Sequence, residues 1–233
     1  MAEIFKYEDK DEVYKACADV IQEAIEDLSS VKDKIVVAVP GGRNVAEVFS
    51  HLKNKNLPWQ KVHLFMVDER LVDIQSEQSN YKILKENLID PLLRKDMIPG
   101  SNIHPFIYDE QSDDAGIAEY TEELKVVGGR FDIILLSSGE DGHIGALYPD
   151  HHSIQSEADY FIKITDSPKP PKNRMTSTKS QLQKSQVALL LFVGEEKKEA
   201  YKKFKDSSVG VEECPAKLIN SIANSFVFCD FED

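Results

Sequence analysis

Short uninterrupted apolar runs, separated by segments with helical periodicity, constrain the fold of this chain more than any other feature. Ile35–Val39 is apolar at every position and ends at Pro40-Gly41-Gly42, which is typical of a strand buried on both faces. Residues 10–29 carry apolar side chains at helical spacing and predict a long amphipathic helix. Strands that alternate with such helices imply right-handed parallel crossovers. We therefore predict an α/β fold: a three-layer, mostly parallel twisted sheet with helices on both faces, Rossmann-like.

The same alternation continues to the end of the chain. Further strands are predicted at residues 62–67, 103–107, 131–136, 160–164, 187–193 and 226–228. Further helices are predicted at residues 45–52, 81–88, 115–124 and 195–204. Because no repeat, low-complexity segment or Gly/Ser/Pro-rich linker interrupts the pattern, residues 1–233 are predicted to form a single domain.

The charge balance limits the classes of partner. With 28 Lys and Arg against 41 Asp and Glu, the formal net charge of −13 disfavours a general affinity for nucleic acid or anionic membrane. An anionic ligand would have to be held by local cations. The three cysteines (Cys17, Cys214 and Cys229) are far apart and typical of reduced thiols. No run approaches the roughly 18 apolar residues of a membrane span. We expect a cytoplasmic monomer or homodimer.

Four of the apolar runs are followed directly by reactive or glycine-rich residues. Because the ends of parallel strands share one edge of a sheet, these residues are predicted to line a single crevice. The four segments are Pro40-Gly41-Gly42-Arg43-Asn44, Asp68-Glu69-Arg70, Glu140-Asp141-Gly142-His143 and Gly194-Glu195-Glu196-Lys197.

Two of these segments suit an anion. Gly41-Gly42 opens a helix and offers backbone N–H groups to a phosphate, although the same pair could equally form a plain tight turn. Arg43 and Lys197 add cations that could complete an anion clamp.

The charged cluster Asp68-Glu69-Arg70 also has two interpretations. It could be a salt-bridged strand end. Alternatively, its carboxylates could hold the guanidinium towards a phosphate or sugar oxygen.

His143 is the only one of the six histidines that comes just beyond a predicted strand, next to Gly142 and two residues from Asp141. Because imidazole titrates near neutral pH, this side chain could take a proton from water. The sequence has no G-x-S-x-G elbow, no cysteine paired with a histidine at motif spacing, and no metal-binding motif. We therefore expect a water-activating site without metal or cofactor. Core or solvated roles are expected for His51, His63 and His104, and a polar loop is expected at His151 and His152.

Six motifs in order resemble the 6-phosphogluconolactonases, within the superfamily that includes glucosamine-6-phosphate deaminase. The S-G-G-x-T-P motif of that family corresponds to Pro40-Gly41-Gly42-Arg43-Asn44, here called the first loop, and its D-E-R motif matches Asp68-Glu69-Arg70. The other four are Ser79-Asn80-Tyr81, Gly139-Glu140-Asp141-Gly142-His143 with Leu147-Tyr148-Pro149, Ser167-Pro168-Lys169-Pro170-Pro171 with Arg174-Met175-Thr176, and Gly194-Glu195-Glu196-Lys197.

The resemblance implies hydrolysis of 6-phospho-D-glucono-1,5-lactone to 6-phosphogluconate in the oxidative pentose phosphate pathway. The resemblance also implies that His143 is the general base that activates water and that Asp141 and Glu140 belong to the catalytic group. Arg70 and Arg174 hold the substrate and its phosphate. The other implied substrate-binding residues are Gly41, Gly42, Arg43, Asn44, Asp68, Lys169 and Lys197.

Two alternatives stay open. Glucosamine-6-phosphate deaminases continue after the histidine with an N-E-P segment whose carboxylate serves ring opening, whereas this chain continues Ala146-Leu147-Tyr148-Pro149, which favours the lactonase. Pro40, Asn44 and Val45 replace the Ser, Thr and Pro of the first family motif. This departure motivates the second alternative, a non-catalytic phosphosugar-binding protein on the same fold.

Overall fold

The computed structural model of the protein describes residues 2–231 and contains two sheets. Six parallel strands form the central sheet in the order β1-β9-β8-β5-β2-β3, and three antiparallel strands form a small sheet in the order β4-β7-β6. The strands are β1 (Glu3–Lys6), β2 (Ile35–Val39), β3 (Val62–Met66), β4 (Asp68–Arg70), β5 (Ile133–Ser137), β6 (Phe161–Ile164), β7 (Arg174–Ser177), β8 (Val187–Phe192) and β9 (Asn224–Cys229).

Eight α-helices accompany the strands in residues 2–231. They are α1 (Lys10–Ser29), α2 (Arg43–Leu52), α3 (Asn80–Leu84), α4 (Asp90–Arg94), α5 (Ile117–Val127), α6 (His152–Gln155), α7 (Lys179–Gln183) and α8 (Lys198–Lys205). A π-helical turn, Lys85–Ile89, joins α3 to α4, and short 3₁₀ turns occupy Trp59–Lys61, Gly100–Asn102, Glu195–Lys197 and Pro215–Ser221. None of the described helices is both long and apolar enough to cross a bilayer.

The strands β2, β3, β5 and β8 of the central sheet are buried on both faces, which explains their uninterrupted apolar runs. Successive side chains of a strand point to opposite faces. In β2, Val36 and Ala38 pack into a core with α5 and α8, whereas Ile35, Val37 and Val39 pack into a second core with α1 and α2. This arrangement confirms the predicted α/β class with a parallel sheet and helices on both faces.

The strand order creates a switch point at the carboxyl ends of β2 and β5. From β2 the chain passes to β3 on one side, and it later returns to form β5 on the other side of β2. The loops that leave β2 and β5 therefore diverge and open a crevice between them, which is where open α/β sheets bind ligands.

The small sheet was not predicted as a unit. Its strand β6 was expected at residues 160–164, but as part of the parallel sheet, and neither β4 nor β7 was predicted. Both β4 and β7 are short and rich in polar residues, so no apolar run reveals them. The antiparallel pairing places Arg70 opposite Arg174 and Asp68 opposite Thr176.

The predicted strand at residues 103–107 is wrong. Ile103 alone forms a parallel bridge to Leu64, and the His104 N–H donates to the Leu64 carbonyl at 3.0 Å. The next residue is Pro105, which has no N–H to continue a ladder, so pairing stops there. The apolar residues alone indicated a strand, but Pro105 cannot donate the backbone hydrogen bond that a longer strand would need.

Candidate active site

The carboxyl ends of β2, β5 and β8 meet the small sheet around a cavity of about 310 Å³. The residues that line it are Pro40, Gly41, Gly42, Asp68, Arg70, Asn80, Ser137, Ser138, Gly139, Glu140, His143, Gly145, Lys169, Arg174 and Lys197. All four strand-end segments therefore contribute to one crevice, as the sequence predicts.

A larger groove of about 1080 Å³ lies elsewhere, beside residues that precede β2 and β3. Its lining includes two histidines, His63 and His104, and burial lowers the pKa of each to about 4. Lys34 and Glu123 also line it. This groove adjoins the amino ends of the strands, whereas ligands of open α/β sheets bind at the carboxyl ends. We therefore place the candidate active site in the smaller cavity, whose lining carries four basic side chains against one in the groove.

The loop after β5 folds His143 back onto Asp141. Its backbone is held by a hydrogen bond from the Gly139 N–H to the His143 carbonyl, at 2.8 Å. The Nδ1 atom of His143 lies 2.5 Å from Oδ1 of Asp141. Burial raises the pKa of the Asp141 carboxyl, but its hydrogen bonds and charge interaction with His143 outweigh burial and lower it. An ionised Asp141 accepts a hydrogen bond from Nδ1–H, which assigns the Nε2 lone pair of neutral His143 as the proton acceptor.

The ring of His143 has little freedom within the loop. A Cβ atom at Gly139 would overlap Cε1 and Nδ1 of the ring, so only glycine permits this close approach. On another side the ring lies against Tyr148, with ring centroids 4.8 Å apart. The Tyr148 hydroxyl is hydrogen-bonded to Ser167 Oγ at 2.8 Å. These contacts hold the imidazole in one orientation at the cavity wall.

Arg70 and Arg174 form a cationic pair that also lines the cavity. They lie directly opposite each other in the β4–β7 ladder, and Nη1 of Arg174 is 3.7 Å from Oδ2 of Asp68. Burial lowers the pKa of Arg174, and the charge of Asp68 opposes this effect. Like charges placed opposite in a ladder are unfavourable. The arrangement is therefore suited to an anionic ligand that neutralises the pair.

The loop before β7 encloses the Arg174 guanidinium. Nε donates to the Pro171 carbonyl at 3.1 Å, and Nη2 donates to the Pro170 carbonyl at 2.9 Å. The same loop brings Lys169 to the cavity, where its Nζ atom lies 4.0 Å from Oε2 of Glu140. Arg174 thus shapes the loop that carries another predicted binding residue.

The first loop supplies a helix N-terminus. Gly42 occupies the N-cap position of α2 with φ at +116°, a conformation that favours glycine. A Cβ atom at Gly41 would overlap the Asn80 side chain, so a larger residue does not fit there. Lys197 faces the same cavity from the turn after β8. N–H groups beside an ammonium form a site for an oxyanion.

Arg43 and Asn44 are not brought into this cavity. They line a neighbouring one of about 410 Å³. The Tyr14 hydroxyl donates to Asn44 Oδ1 at 2.9 Å, and Asn44 Nδ2 donates to the Val193 carbonyl at 3.0 Å. The Asn44 amide therefore joins α1 and the end of β8 to α2, and binding of the substrate by these two residues stays a prediction.

Asn80 is a cavity residue that the sequence reasoning missed. Its Nδ2 atom donates to the Asp68 carbonyl at 3.0 Å and contacts Asp68 Oδ2 at 3.1 Å. Beneath it, the buried Glu69 carboxylate accepts four hydrogen bonds, from the N–H groups of Arg70, Asn80 and Tyr81 and from the Ser79 hydroxyl. The Ser79-Asn80-Tyr81 motif is the sequence feature that could have identified Asn80, because it supplies three of those donors.

Glu69→Ala is expected to lower the free energy of unfolding by about 2–3 kcal/mol, because it leaves buried donors without an acceptor. Urea denaturation measures this loss. Glu69→Gln, which retains one carbonyl oxygen, should lose less, and Glu157→Ala at an exposed site should change little. Equal stability of Glu69→Ala and Glu157→Ala would refute the structural role of this carboxylate.

Comparisons with known proteins identify the family of the chain. The family described as glucosamine-6-phosphate isomerases/6-phosphogluconolactonase matches residues 8–228. A Borreliella burgdorferi protein named 6-phosphogluconolactonase is 34% identical over 202 residues, covering 86% of this chain and 86% of that protein.

Solved structures share the fold over nearly the whole chain. The crystal structure of 6-phosphogluconolactonase from Thermotoga maritima has a TM-score of 0.84 and 26% identity, covering 98% of this chain and 99% of that one. A monomeric glucosamine-6-phosphate deaminase has a TM-score of 0.79 at 19% identity, covering 97% and 96%. At 19% identity, the similarity to the deaminase shows only that the two proteins share the fold. The chain belongs to the family of glucosamine-6-phosphate isomerases and 6-phosphogluconolactonases.

Proposed function

We propose that this protein hydrolyses 6-phospho-D-glucono-1,5-lactone to 6-phosphogluconate in the oxidative pentose phosphate pathway. The observation that carries the proposal is a histidine–carboxylate pair and four basic side chains at one cavity. His143 is held by Asp141 at 2.5 Å. The basic side chains that line the same space are Arg70, Lys169, Arg174 and Lys197. A base that activates water and a set of cations for a phosphate are the two requirements of this reaction.

In the proposed mechanism, His143 Nε2 takes a proton from water as the water oxygen attacks the lactone carbonyl carbon. The tetrahedral intermediate carries a negative oxygen that nearby donors stabilise. Its collapse breaks the bond between the carbonyl carbon and the ring oxygen, and the imidazolium returns the proton to that oxygen. Asp141 keeps the imidazole in the required tautomer and stabilises its charged form. The new carboxylic acid then loses its proton to water.

The substrate is proposed to bind with its phosphate against basic groups. Arg70 and Arg174 hold the substrate and its phosphate, and Lys197 with the Gly41-Gly42 loop completes the phosphate site. Such a local basic region is needed because the whole chain carries a formal charge of −13.

Glu140 and Asp68 are proposed to position two different cations. Glu140 faces the cavity and is proposed to orient the Lys169 ammonium, 4.0 Å away, towards the substrate. Asp68 is buried and is proposed to keep the Arg174 guanidinium in place, at 3.7 Å.

The residue against the His143 ring favours the lactonase over the deaminase. In this chain that neighbour is the aromatic ring of Tyr148, at a centroid distance of 4.8 Å. The resemblance discussed above implies that a deaminase would carry a glutamate in this segment to assist its ring-opening histidine. An intact His143–Asp141 pair also supports catalysis over binding alone.

We expect the protein to accelerate opening of the phosphorylated δ-lactone and to release no ammonia from glucosamine 6-phosphate. A continuous titration of the acid produced, run against the uncatalysed background, measures the first activity, and an ammonia assay measures the second. D-Glucono-1,5-lactone without phosphate is the matched substrate control and should be hydrolysed with a much lower kcat/KM. Ammonia release would favour the deaminase, and binding of the phosphosugar without turnover would favour the non-catalytic alternative.

We also propose that the protein is cytoplasmic and that it is a monomer or a homodimer. The three cysteines Cys17, Cys214 and Cys229 are free and buried, which supports a reducing compartment. Light scattering on the purified protein distinguishes the two assembly states.

A further inference from the structure

A second cluster of titratable side chains lies outside the cavity. His151 is the N-cap residue of α6, His152 is the first residue of that helix, and Asp166 follows β6. The Asp166 Oδ1 atom is 2.9 Å from Nε2 of His152 and 3.4 Å from Nε2 of His151. One atom from each residue lies within 4.8 Å of the other two. No other such group of three occurs among residues 2–231.

We propose that His151, His152 and Asp166 bind one divalent transition-metal ion of the Zn²⁺ class. A tetrahedral Zn²⁺ ion binds imidazole nitrogen and carboxylate oxygen at about 2.0–2.2 Å, which separates adjacent ligand atoms by roughly 3.4 Å. The His151–Asp166 separation already has this value. The shorter His152–Asp166 contact needs to open by only a few tenths of an ångström when the metal replaces the shared proton.

The state of the His151 ring is an independent observation that supports a ligand. Its Nε2 atom is buried and makes no hydrogen bond within the described residues, although the Asp166 carboxylate is close. The other ring nitrogen, Nδ1, accepts a hydrogen bond from the Ser153 N–H at 3.2 Å and lies 3.0 Å from Ser153 Oγ. Metal-bound histidines commonly orient their ring by donating from the second nitrogen. Binding through Nε2 requires the proton to lie on Nδ1, which would then donate to Ser153 Oγ in place of the bond that it accepts from the Ser153 N–H.

The donor set selects the class of ion. Two imidazoles and one carboxylate suit Zn²⁺, Co²⁺ and Ni²⁺, whereas Mg²⁺ and Ca²⁺ prefer sites built from oxygen alone. His152 and Asp166 are about 60% exposed at the side chain (60% and 59%), so water can complete the coordination shell. All three cysteines are buried, and therefore no surface thiol competes for the ion.

The site joins two segments that form part of the cavity wall. His151 comes three residues after Tyr148, whose ring lies against His143. Asp166 directly precedes Ser167, and Ser167 Oγ is hydrogen-bonded to both Tyr148 Oη and the Lys169 carbonyl. A bound ion would cross-link these segments and stabilise the fold. It has no part in the proposed proton transfers, so hydrolysis itself is still expected to be metal-independent.

The test uses the full-length protein without a polyhistidine tag, stripped of metal by a chelator. Calorimetric titration with Zn²⁺ should give one equivalent per chain, and Co²⁺ should give the visible absorption of a tetrahedral complex. His152→Ala and Asp166→Asn should each weaken Zn²⁺ binding at least tenfold. His51→Ala is the matched control, because His51 and Asp11 form an exposed pair at 2.9 Å that belongs to no three-ligand group in residues 2–231. Mg²⁺ should not bind at comparable concentration.

Two outcomes would overturn the proposal. One is the lack of saturable Zn²⁺ binding below millimolar concentration, and the other is unchanged affinity in both His152→Ala and Asp166→Asn. Both variants should retain the circular dichroism spectrum and the metal-free lactonase activity of the parent, since neither side chain lines the cavity. A thermal melt gives a second readout: Zn²⁺ should raise Tm of the parent and of His51→Ala but not of Asp166→Asn.

Discussion

His143→Ala is expected to lower kcat for lactone hydrolysis by about 10²-fold to 10⁴-fold, the range for the loss of a general base. Among residues 2–231, His143 is the only histidine that lines the cavity, and the variant leaves the basic groups proposed to hold the phosphate in place. KM should therefore change much less than kcat. Initial rates with the phosphorylated δ-lactone, corrected for spontaneous opening, measure both parameters.

Two further measurements separate loss of the base from loss of the fold. The product 6-phosphogluconate should bind His143→Ala nearly as tightly as the parent protein, because the variant leaves the proposed phosphate contacts intact. Asp141→Asn should lower kcat by a smaller factor, since it removes the charge that stabilises the imidazolium and leaves the ring in place. His51→Ala is the control: His51 is partly exposed and does not line the cavity, so kcat and KM of this variant should equal those of the parent protein. Undiminished hydrolysis by His143→Ala would eliminate the proposed mechanism.

Arg174→Ala is expected to raise KM by about 10²-fold, with a smaller effect on kcat. Hydrogen bonds to charged groups contribute about 1.5–3 kcal/mol, which corresponds to roughly 10-fold to 150-fold in affinity. The guanidinium also holds the carbonyls of Pro170 and Pro171, so its loss releases the loop that carries Lys169. Steady-state kinetics with the phosphorylated lactone measure the change.

Arg174→Lys and Lys172→Ala are the controls for this prediction. The lysine variant keeps the charge but cannot bond two loop carbonyls at once, so its KM should lie between those of the parent and Arg174→Ala. Lys172 is exposed in the same loop, and its truncation should leave KM unchanged. The preference for the phosphorylated lactone over D-glucono-1,5-lactone should fall in Arg174→Ala. A KM equal to that of the parent would show that Arg174 does not bind the substrate.

The sequence predicted five of the six central strands, because buried strands form uninterrupted apolar runs, but it missed the mostly exposed edge strand β1. In β2, β5 and β8 almost every residue is buried, and such runs are recognisable without long-range information. Parallel pairing then requires their carboxyl ends to lie at one edge. The convergence of the strand-end loops on one crevice follows from this requirement, and the structure confirms it.

Elements with weaker local signals were predicted poorly. The run at 103–107 is apolar, but Pro105 stops the ladder after one bridge. The helix expected at 81–88 is divided into α3 and a π-helical turn that leads into α4. Arg43 and Asn44 follow the glycines directly, yet the first turn of α2 places them at a neighbouring cavity.

The sequence by itself determined the α/β class, the buried strands and the short loop in which His143 lies two residues from Asp141, because each depends on nearby residues and on burial. Only the tertiary structure placed Arg70 opposite Arg174, brought the Lys169 loop to Glu140, and set Tyr148 against the His143 ring. These contacts join segments separated by many residues, or depend on the exact path of a loop. Their geometry is set by strand register and by packing of the whole chain, which no local pattern encodes.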